Sequence, residues 1–168
     1  EQAIEALRRL EPLDILFAEQ PVGRDDPTQM AEVKQATFIP VMADESVFTP
    51  TEALAVVREG AADVISLYPG KNGAITASRR ISQIARSAGV VCHMGSNLEL
   101  GVATAAMAHL AAADQTIDSE TYPADILGPL YHDHDLLTES VSIGPNGAGP
   151  PEGPGLGVSL DEDALNTY

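Results

Sequence analysis

The sequence predicts an α/β fold in which parallel strands alternate with helices. Four short apolar segments each end in a polar residue, and these ends (Glu19, Asp44, Tyr68 and His93) follow one another at intervals of 24 or 25 residues. A strand, a loop, a helix and a return loop need about that length of chain. The interval is typical of a parallel β/α barrel or a wound sheet, in which functional groups gather at the carboxyl ends of the strands.

The strands are predicted from short apolar runs that are rich in Val, Ile or Phe. Four such runs lie near residues 14–19, 38–44, 63–68 and 90–94, and a fifth, less regular run lies near 116–121. Since a closed eight-stranded barrel usually needs about 250 residues, a barrel built from these 168 residues would be incomplete.

The helices are predicted from apolar spacing and from start and stop signals. Residues 1–10 form an amphipathic pattern at the start of the chain. Thr49, with Glu52 three residues later, is a capping box that predicts a helix over 50–58, before Gly60. Two further helices are expected over 74–88 and over the Ala-rich segment 101–113.

The composition changes at residue 144. Gly or Pro occupies most positions of 144–157, so this segment cannot hold a regular helix or a central strand. We therefore divide the chain into a domain, residues 1–143, and a C-terminal tail, residues 144–168. A disordered end and a segment that docks on a domain outside the chain both agree with this composition.

Charge and cysteine content narrow the range of partners. With 25 acidic and 9 basic residues the net charge is −16, which repels nucleic acid phosphates and anionic membrane surfaces. The single Cys92 excludes an internal disulfide and fits a reducing compartment. No apolar run approaches the roughly 20 residues of a membrane span. We expect a cytoplasmic protein that binds neither nucleic acid nor membrane.

Two of the strand ends are carboxylates, Glu19 and Asp44. Hard divalent cations such as Mg²⁺ take oxygen ligands, commonly a few carboxylates together with water and substrate oxygens. Adjacent parallel strands end close together, so these two side chains are predicted metal ligands. The alternative is that they cap neighbouring helices or pair with Arg or Lys.

Several segments together resemble a known family. They are Phe-Ala-Glu-Gln-Pro at 17–21, Pro-Val-Met-Ala-Asp-Glu-Ser at 40–46, Asp-Val-Ile-Ser-Leu-Tyr-Pro-Gly-Lys-Asn-Gly at 63–73 and Gly-Pro-Gly-Leu-Gly-Val at 153–158. In this order and spacing they resemble the barrel domain of the enolase superfamily, in particular the mandelate racemase and muconate-lactonizing enzymes.

The resemblance implies part of a TIM-type barrel, strands four to eight of a (β/α)₇β barrel, whose tail at 144–168 docks on a capping domain outside the chain. It also implies that three acids on consecutive strands bind Mg²⁺, with Mn²⁺ as an alternative. Glu19 matches the second ligand and Asp44 the third, while the first would fall before Glu1.

The resemblance gives three candidates for proton transfer. Tyr68 stands where the muconate-lactonizing branch has a base Lys, although Tyr, with a reference pKa of about 10, is a poor base at neutral pH. Lys71, in a flexible loop three positions on, could act as base, acid or carboxylate anchor, or be merely an exposed loop lysine. His93 ends the strand where the mandelate racemase branch carries a catalytic His, or is simply a buried, hydrogen-bonded His.

Two more acids are candidates for substrate binding. Glu45 follows Asp44 directly and should face away from it, in a supporting position. Glu99 lies where relatives have a Glu that points into the barrel mouth, but it could equally be a first-turn acid that the helix dipole stabilises.

Taken together, the resemblance implies an isomerase of the cycloisomerase or racemase kind. The whole protein would remove a proton α to a carboxylate of a small organic acid through an enediolate, with Mg²⁺ present, and we expect it to be a homo-oligomer. The alternatives are a sugar-acid dehydratase, which is a lyase, and a non-catalytic barrel fragment that acts by assembly. The isolated chain is expected to be inactive.

Overall fold

The computed structural model describes residues 1–145 and 147–167. Asn146 and Tyr168, which belong to the predicted tail, lie outside the described residues. The helices are α1 Gln2–Leu10, α2 Pro27–Ala36, α3 Pro50–Arg58, α4 Pro69–Asn72, α5 Ala74–Ser87, α6 Gly101–Ala113 and α7 Glu162–Thr167. The strands are β1 Ala18–Glu19, β2 Val41–Ala43, β3 Val64–Leu67, β4 Val91–Met94, β5 Ile143–Gly144 and β6 Gly147–Ala148.

The first four strands form one parallel sheet in sequence order, β1-β2-β3-β4. Each strand pairs with the next one along the chain, and a helix lies between consecutive strands, which is the arrangement of β/α units in a barrel wall. The α/β fold with parallel strands is therefore confirmed, and the four strands lie inside the predicted segments, although each strand is shorter than its segment.

Side chains on the two faces of this sheet have different surroundings. Alternate strand residues belong to the hydrophobic core shared with the helices: Val41, Ala43, Ile65, Leu67, Cys92 and Met94. The residues between them point to the opposite face, which we call the inner face; among them are Met42, Val64, Ser66 and His93. The inner face is the one that would line the interior of a barrel.

Helix capping signals explain several of the helix starts. In α3 the Thr49 side chain accepts a hydrogen bond from the Glu52 N–H, and Glu52 accepts from the Thr49 N–H in return, so the predicted capping box is confirmed. Helix α2 was not predicted. Asp26 caps it by accepting from the Thr28 N–H, and Pro27 occupies its first position, a signal that the sequence does contain.

The fifth predicted strand, 116–121, is not a regular strand. Only Ile117 forms a parallel bridge with Cys92. The Cys92 N–H donates to the Thr116 carbonyl, and the Asp118 N–H donates to the Cys92 carbonyl. The predicted segment thus lies beside β4, as expected, but its pairing stops after one residue because the chain turns at Asp118, whose carboxylate accepts from the Thr121 N–H.

Part of the tail packs against the domain. Strands β5 and β6 pair antiparallel, and β5 spans the predicted boundary at 144. Leu156 and Val158 pack against Ala105 of α6 and against Leu137, and the Leu156 carbonyl lies 3.2 Å from His109 Nε2. Docking of the tail on a further domain remains a prediction.

Within the described residues, no helix combines the length and the apolar character needed to cross a membrane.

A substitution at Gly128 can test the packing of the loop that precedes α6. A Cβ atom at this position would lie 1.9 Å from the Glu99 carbonyl oxygen and 2.7 Å from the Glu99 nitrogen. Both are backbone atoms, so no rotamer change relieves the clash, and Gly128→Ala is expected to lower the free energy of unfolding by about 1–3 kcal/mol or more. Gly23→Ala is the matched control, since a Cβ there meets nothing within 4 Å. Equal effects in urea denaturation of the two variants would contradict this packing.

Candidate active site at the carboxyl ends of the strands

The two predicted metal ligands lie side by side at the same edge of the sheet. Glu19 ends β1 and pairs with Met42 of β2, while Asp44 follows two residues after Met42. Because side chains alternate along a strand, Glu19, Met42 and Asp44 all point to the inner face. The structure therefore places both carboxylates at one rim, as the interval in the sequence predicted.

Burial and the neighbouring charges both disfavour an ionised Glu19. Its pKa is raised, chiefly because the half-enclosed carboxyl loses hydration and also because Asp44 and Glu45 carry negative charge nearby. Lys71 acts in the opposite direction but does not cancel these effects. Several negative charges close together form a place where an added cation is stabilised.

Lys71 does not lie in a flexible loop, as the sequence suggested. It belongs to α4, and its side chain is only 2% exposed. Its ammonium donates to Asp44 Oδ1 at 2.5 Å, to the Asp44 carbonyl at 2.9 Å and to the Ser66 carbonyl at 2.7 Å. An ammonium has three donors, so all three are engaged. Burial lowers the pKa of Lys71, while Asp44 opposes that shift.

Tyr68 lies over Gly95 at the end of the next strand. A Cβ at position 95 would come within 2.9 Å of the Tyr68 ring, so glycine is needed there. The Tyr68 hydroxyl donates to Asn97 Oδ1 at 3.1 Å. Burial, followed by the charges of Asp44 and Glu99, raises the pKa of Tyr68 far above its ordinary value. At neutral pH Tyr68 is therefore a hydrogen-bond donor and a poor base.

His93 lies on the inner face in register with Ser66 and is 6% exposed. Its Nε2 is 3.0 Å from the Pro123 carbonyl oxygen; because a carbonyl only accepts, Nε2 carries the proton. Nδ1 is buried and has no hydrogen-bond partner among the described residues. Burial lowers the pKa of His93. The side chain is a neutral imidazole whose buried Nδ1 lone pair accepts no hydrogen bond among the described residues.

The neighbouring Cys92 shows that these two adjacent residues face opposite sides. Cys92 belongs to the core against the helices, and burial raises the pKa of its thiol to about 12. A Cys–His nucleophile pair is therefore absent from these positions, as side-chain alternation predicted.

The two acids predicted to bind substrate have different positions. Glu45 is exposed beside the rim. Glu99 lies two residues before α6, outside its first turn. Its Oε2 accepts from Ser96 Oγ at 2.7 Å and from the Asn97 N–H at 2.9 Å, while Oε1 is buried without a hydrogen-bond partner among the described residues.

Sequence reasoning missed three polar residues of this rim. The Gln20 amide bonds to the loop after β2, and the buried Asn72 amide donates to the Val47 and Phe48 carbonyls of the same loop. The pKa of Asp125 is raised, first by burial, and its N–H donates to the Met94 carbonyl. Asp125 follows His93 by 32 residues, outside the regular interval, whereas the Gln-Pro pair at 20–21 was a visible signal.

Comparison with known proteins agrees with this geometry. The family model "Enolase C-terminal domain-like" matches residues 1–164. Muconate cycloisomerase 1 of Rhodococcus opacus is 40% identical over 166 residues, which cover 99% of this chain and 44% of the relative. L-Ala-D/L-Glu epimerase of Bacillus subtilis is 35% identical over 159 residues, 94% of this chain and 42% of the relative.

Solved structures extend the similarity to three dimensions. The crystal structure of muconate cycloisomerase from Pseudomonas fluorescens matches with a TM-score of 0.90 and 34% identity, covering 99% of this chain and 45% of that chain. The chain thus spans less than half the length of these relatives. The expected likeness to part of an enolase-type barrel is confirmed.

The lowered pKa of His93 predicts a pH dependence of stability. The unfolded chain protonates this imidazole more readily than the folded protein does, so its stabilising contribution is full above the unfolded pKa of about 6.5 and is lost as the pH falls below that value. Between about pH 7 and about pH 5, the free energy of unfolding should fall less in His93→Asn than in the wild type.

The measurement is urea denaturation at a series of pH values. Cys92→Ala is the matched control in the adjacent buried position, because its thiol, with a pKa of about 12, does not titrate in this range. Cys92→Ala should change the free energy of unfolding by a similar amount at every pH, so that its dependence on pH keeps the wild-type slope. Parallel curves for the wild type and His93→Asn would contradict the assignment of a neutral, buried His93.

Proposed function

This chain belongs to the Enolase C-terminal domain-like family, and we propose that the whole protein is an isomerase that removes a proton α to a carboxylate of a small organic acid. The observation that carries the proposal is the placement of Glu19 and Asp44 on the inner face at one rim. The two relatives described above, a cycloisomerase and an epimerase, favour an isomerase over a dehydratase.

The donor set fits a hard divalent cation. The described residues contain no group of three or more His, Cys, Asp or Glu that could hold a metal, but Mg²⁺ is commonly bound through one or two carboxylates plus water and substrate oxygens. Glu19 and Asp44 supply two such carboxylates. The pKa of Glu19 is raised first by burial and then by the charges of Asp44 and Glu45, and a cation would offset those charges. We propose Mg²⁺, with Mn²⁺ as an alternative.

When bound, the cation supplies positive charge that stabilises the negative charge that develops on a substrate carboxylate as the α-proton leaves. The proposed roles of the protein side chains follow from their contacts. His93 is the proposed proton acceptor, because it is neutral and its Nδ1 lone pair accepts no hydrogen bond among the described residues. Tyr68, which is protonated and hydrogen-bonded to Asn97, is proposed to orient the substrate at this rim.

Lys71 is proposed to act as a fixed positive charge instead of a base. Its three donors are all used by Asp44 and Ser66, so proton abstraction by Lys71 would require breaking contacts that the fold provides. Glu99, whose buried Oε1 has no hydrogen-bond partner among the described residues, is the proposed contact for a substrate hydroxyl or amide. The exposed Glu45 is proposed to support the rim from outside. Assembly into a homo-oligomer and a cytoplasmic location remain predictions.

The direct test is exchange of the α-proton for deuterium in ²H₂O. The whole protein, with Mg²⁺ added, is incubated with small carboxylic acids that carry an α-hydrogen, and loss of the proton signal is followed by NMR. Glu19→Gln and Asp44→Asn are expected to slow exchange by about 10²–10³-fold. Each removes one of the two carboxylates proposed to bind the cation that stabilises the developing negative charge.

Glu32→Gln provides the control, since Glu32 is an exposed residue of α2 and should leave exchange unchanged. Circular dichroism of each variant verifies that it is folded. Exchange at the wild-type rate in folded Glu19→Gln would contradict the proposed site. A whole protein that neither binds divalent cations nor exchanges any α-proton would favour the non-catalytic alternative.

A further inference from the structure

Gln20 connects the two chain segments that carry Glu19 and Asp44. It directly follows Glu19, and its N–H donates to the Met42 carbonyl at 2.8 Å, which continues the β1–β2 pairing by one residue. Its φ angle of 39° lies in the left-handed region, which non-glycine residues rarely adopt. This backbone turn directs the side chain across the end of β2 instead of along β1.

The Gln20 side chain then makes four hydrogen bonds. Oε1 accepts from the Asp44 N–H at 3.0 Å and from the Ser46 N–H at 3.1 Å. Nε2 donates to Ser46 Oγ at 2.8 Å and to the Val22 carbonyl at 2.9 Å. A Gln amide has two donor hydrogens and two acceptor lone pairs, so every hydrogen-bonding site of this amide is used.

These bonds hold the Asp44–Ser46 turn against β1. Two carboxylates at neighbouring strand ends repel each other, and a loop that is free to move would let Asp44 swing away from Glu19. Oε1 accepts from the backbone N–H groups of Asp44 and Ser46. It therefore acts together with Lys71, which bonds to the Asp44 carboxylate and carbonyl, to fix the direction in which the Asp44 side chain leaves the chain. Ser46 is buried, which excludes water from competing for its bond to Nε2.

Other side chains cannot reproduce this arrangement. Glu would keep the acceptor oxygens but has no hydrogen to donate to the Val22 carbonyl. Asn is one methylene shorter. Met has a similar length but makes none of the four bonds.

We propose that Gln20 is a positioning residue that sets the separation of the Glu19 and Asp44 carboxylates for a shared divalent cation. This inference rests on the proposed function, since it requires that a cation binds between these two acids. Gln20 need not contact cation or substrate; it acts through the backbone of Asp44.

The test measures Mn²⁺ affinity of the whole protein by titration with detection of free Mn²⁺ by electron spin resonance. Thermal unfolding is recorded for the same samples. Gln20→Met is expected to weaken Mn²⁺ binding by about 10–100-fold, the usual effect of removing a residue that orients a metal ligand. Ser46→Ala removes one of the four bonds and is expected to weaken Mn²⁺ binding by about fivefold. If Gln20→Met does not fold, the proposal is judged by the Mn²⁺ affinity of Ser46→Ala.

Ile81→Val separates positioning from general loss of stability. Ile81 is fully buried in α5 against the helix side of the sheet, so this variant should lower the melting temperature but bind Mn²⁺ with wild-type affinity. Wild-type affinity in Gln20→Met, or in Ser46→Ala if Gln20→Met does not fold, would overturn the positioning role alone. A wild-type protein that binds no Mn²⁺ would overturn the proposed function, and with it this inference.

Discussion

The buried ammonium of Lys71 is the contact on which the rest of the rim depends. In a chain with a net charge of −16, Asp44 is 9% exposed and lies beside other acids, where an uncompensated carboxylate would be unstable. Lys71 supplies the opposite charge and bonds to both the side chain and the backbone of Asp44. Loss of one partner from a buried ion pair typically costs about 3–5 kcal/mol, so the position of Asp44 is tied to Lys71.

Further side-chain hydrogen bonds connect the ends of all four strands. Gln20 joins the end of β1 to the loop after β2. Lys71 and Asn72 join that loop to β3 and α4, and the Tyr68 hydroxyl joins β3 to Asn97 after β4. Each pair of neighbouring strand ends is thus held by at least one side-chain hydrogen bond. Such a network fixes the inner-face side chains more firmly than the short strands alone could.

The features that sequence could predict are those that depend on local pattern. The regular interval places Glu19, Asp44, Tyr68 and His93 at strand ends, and the capping box at Thr49 marks α3. The missed features depend on contacts between distant parts of the chain. The Pro-Gly-Lys-Asn-Gly composition suggested a mobile loop around Lys71, because only the folded sheet brings Asp44 and Ser66 within reach of its ammonium. The run at 116–121 has strand-like composition, but the turn at Asp118 ends its pairing.

Crystallography of the whole protein grown with Mn²⁺ tests most directly whether Glu19 and Asp44 share one divalent cation at this rim. We expect an anomalous difference peak between the two carboxylates, with Lys71 Nζ still bonded to the Ser66 carbonyl. No peak at these carboxylates, or a peak bound to other residues only, would contradict this expectation.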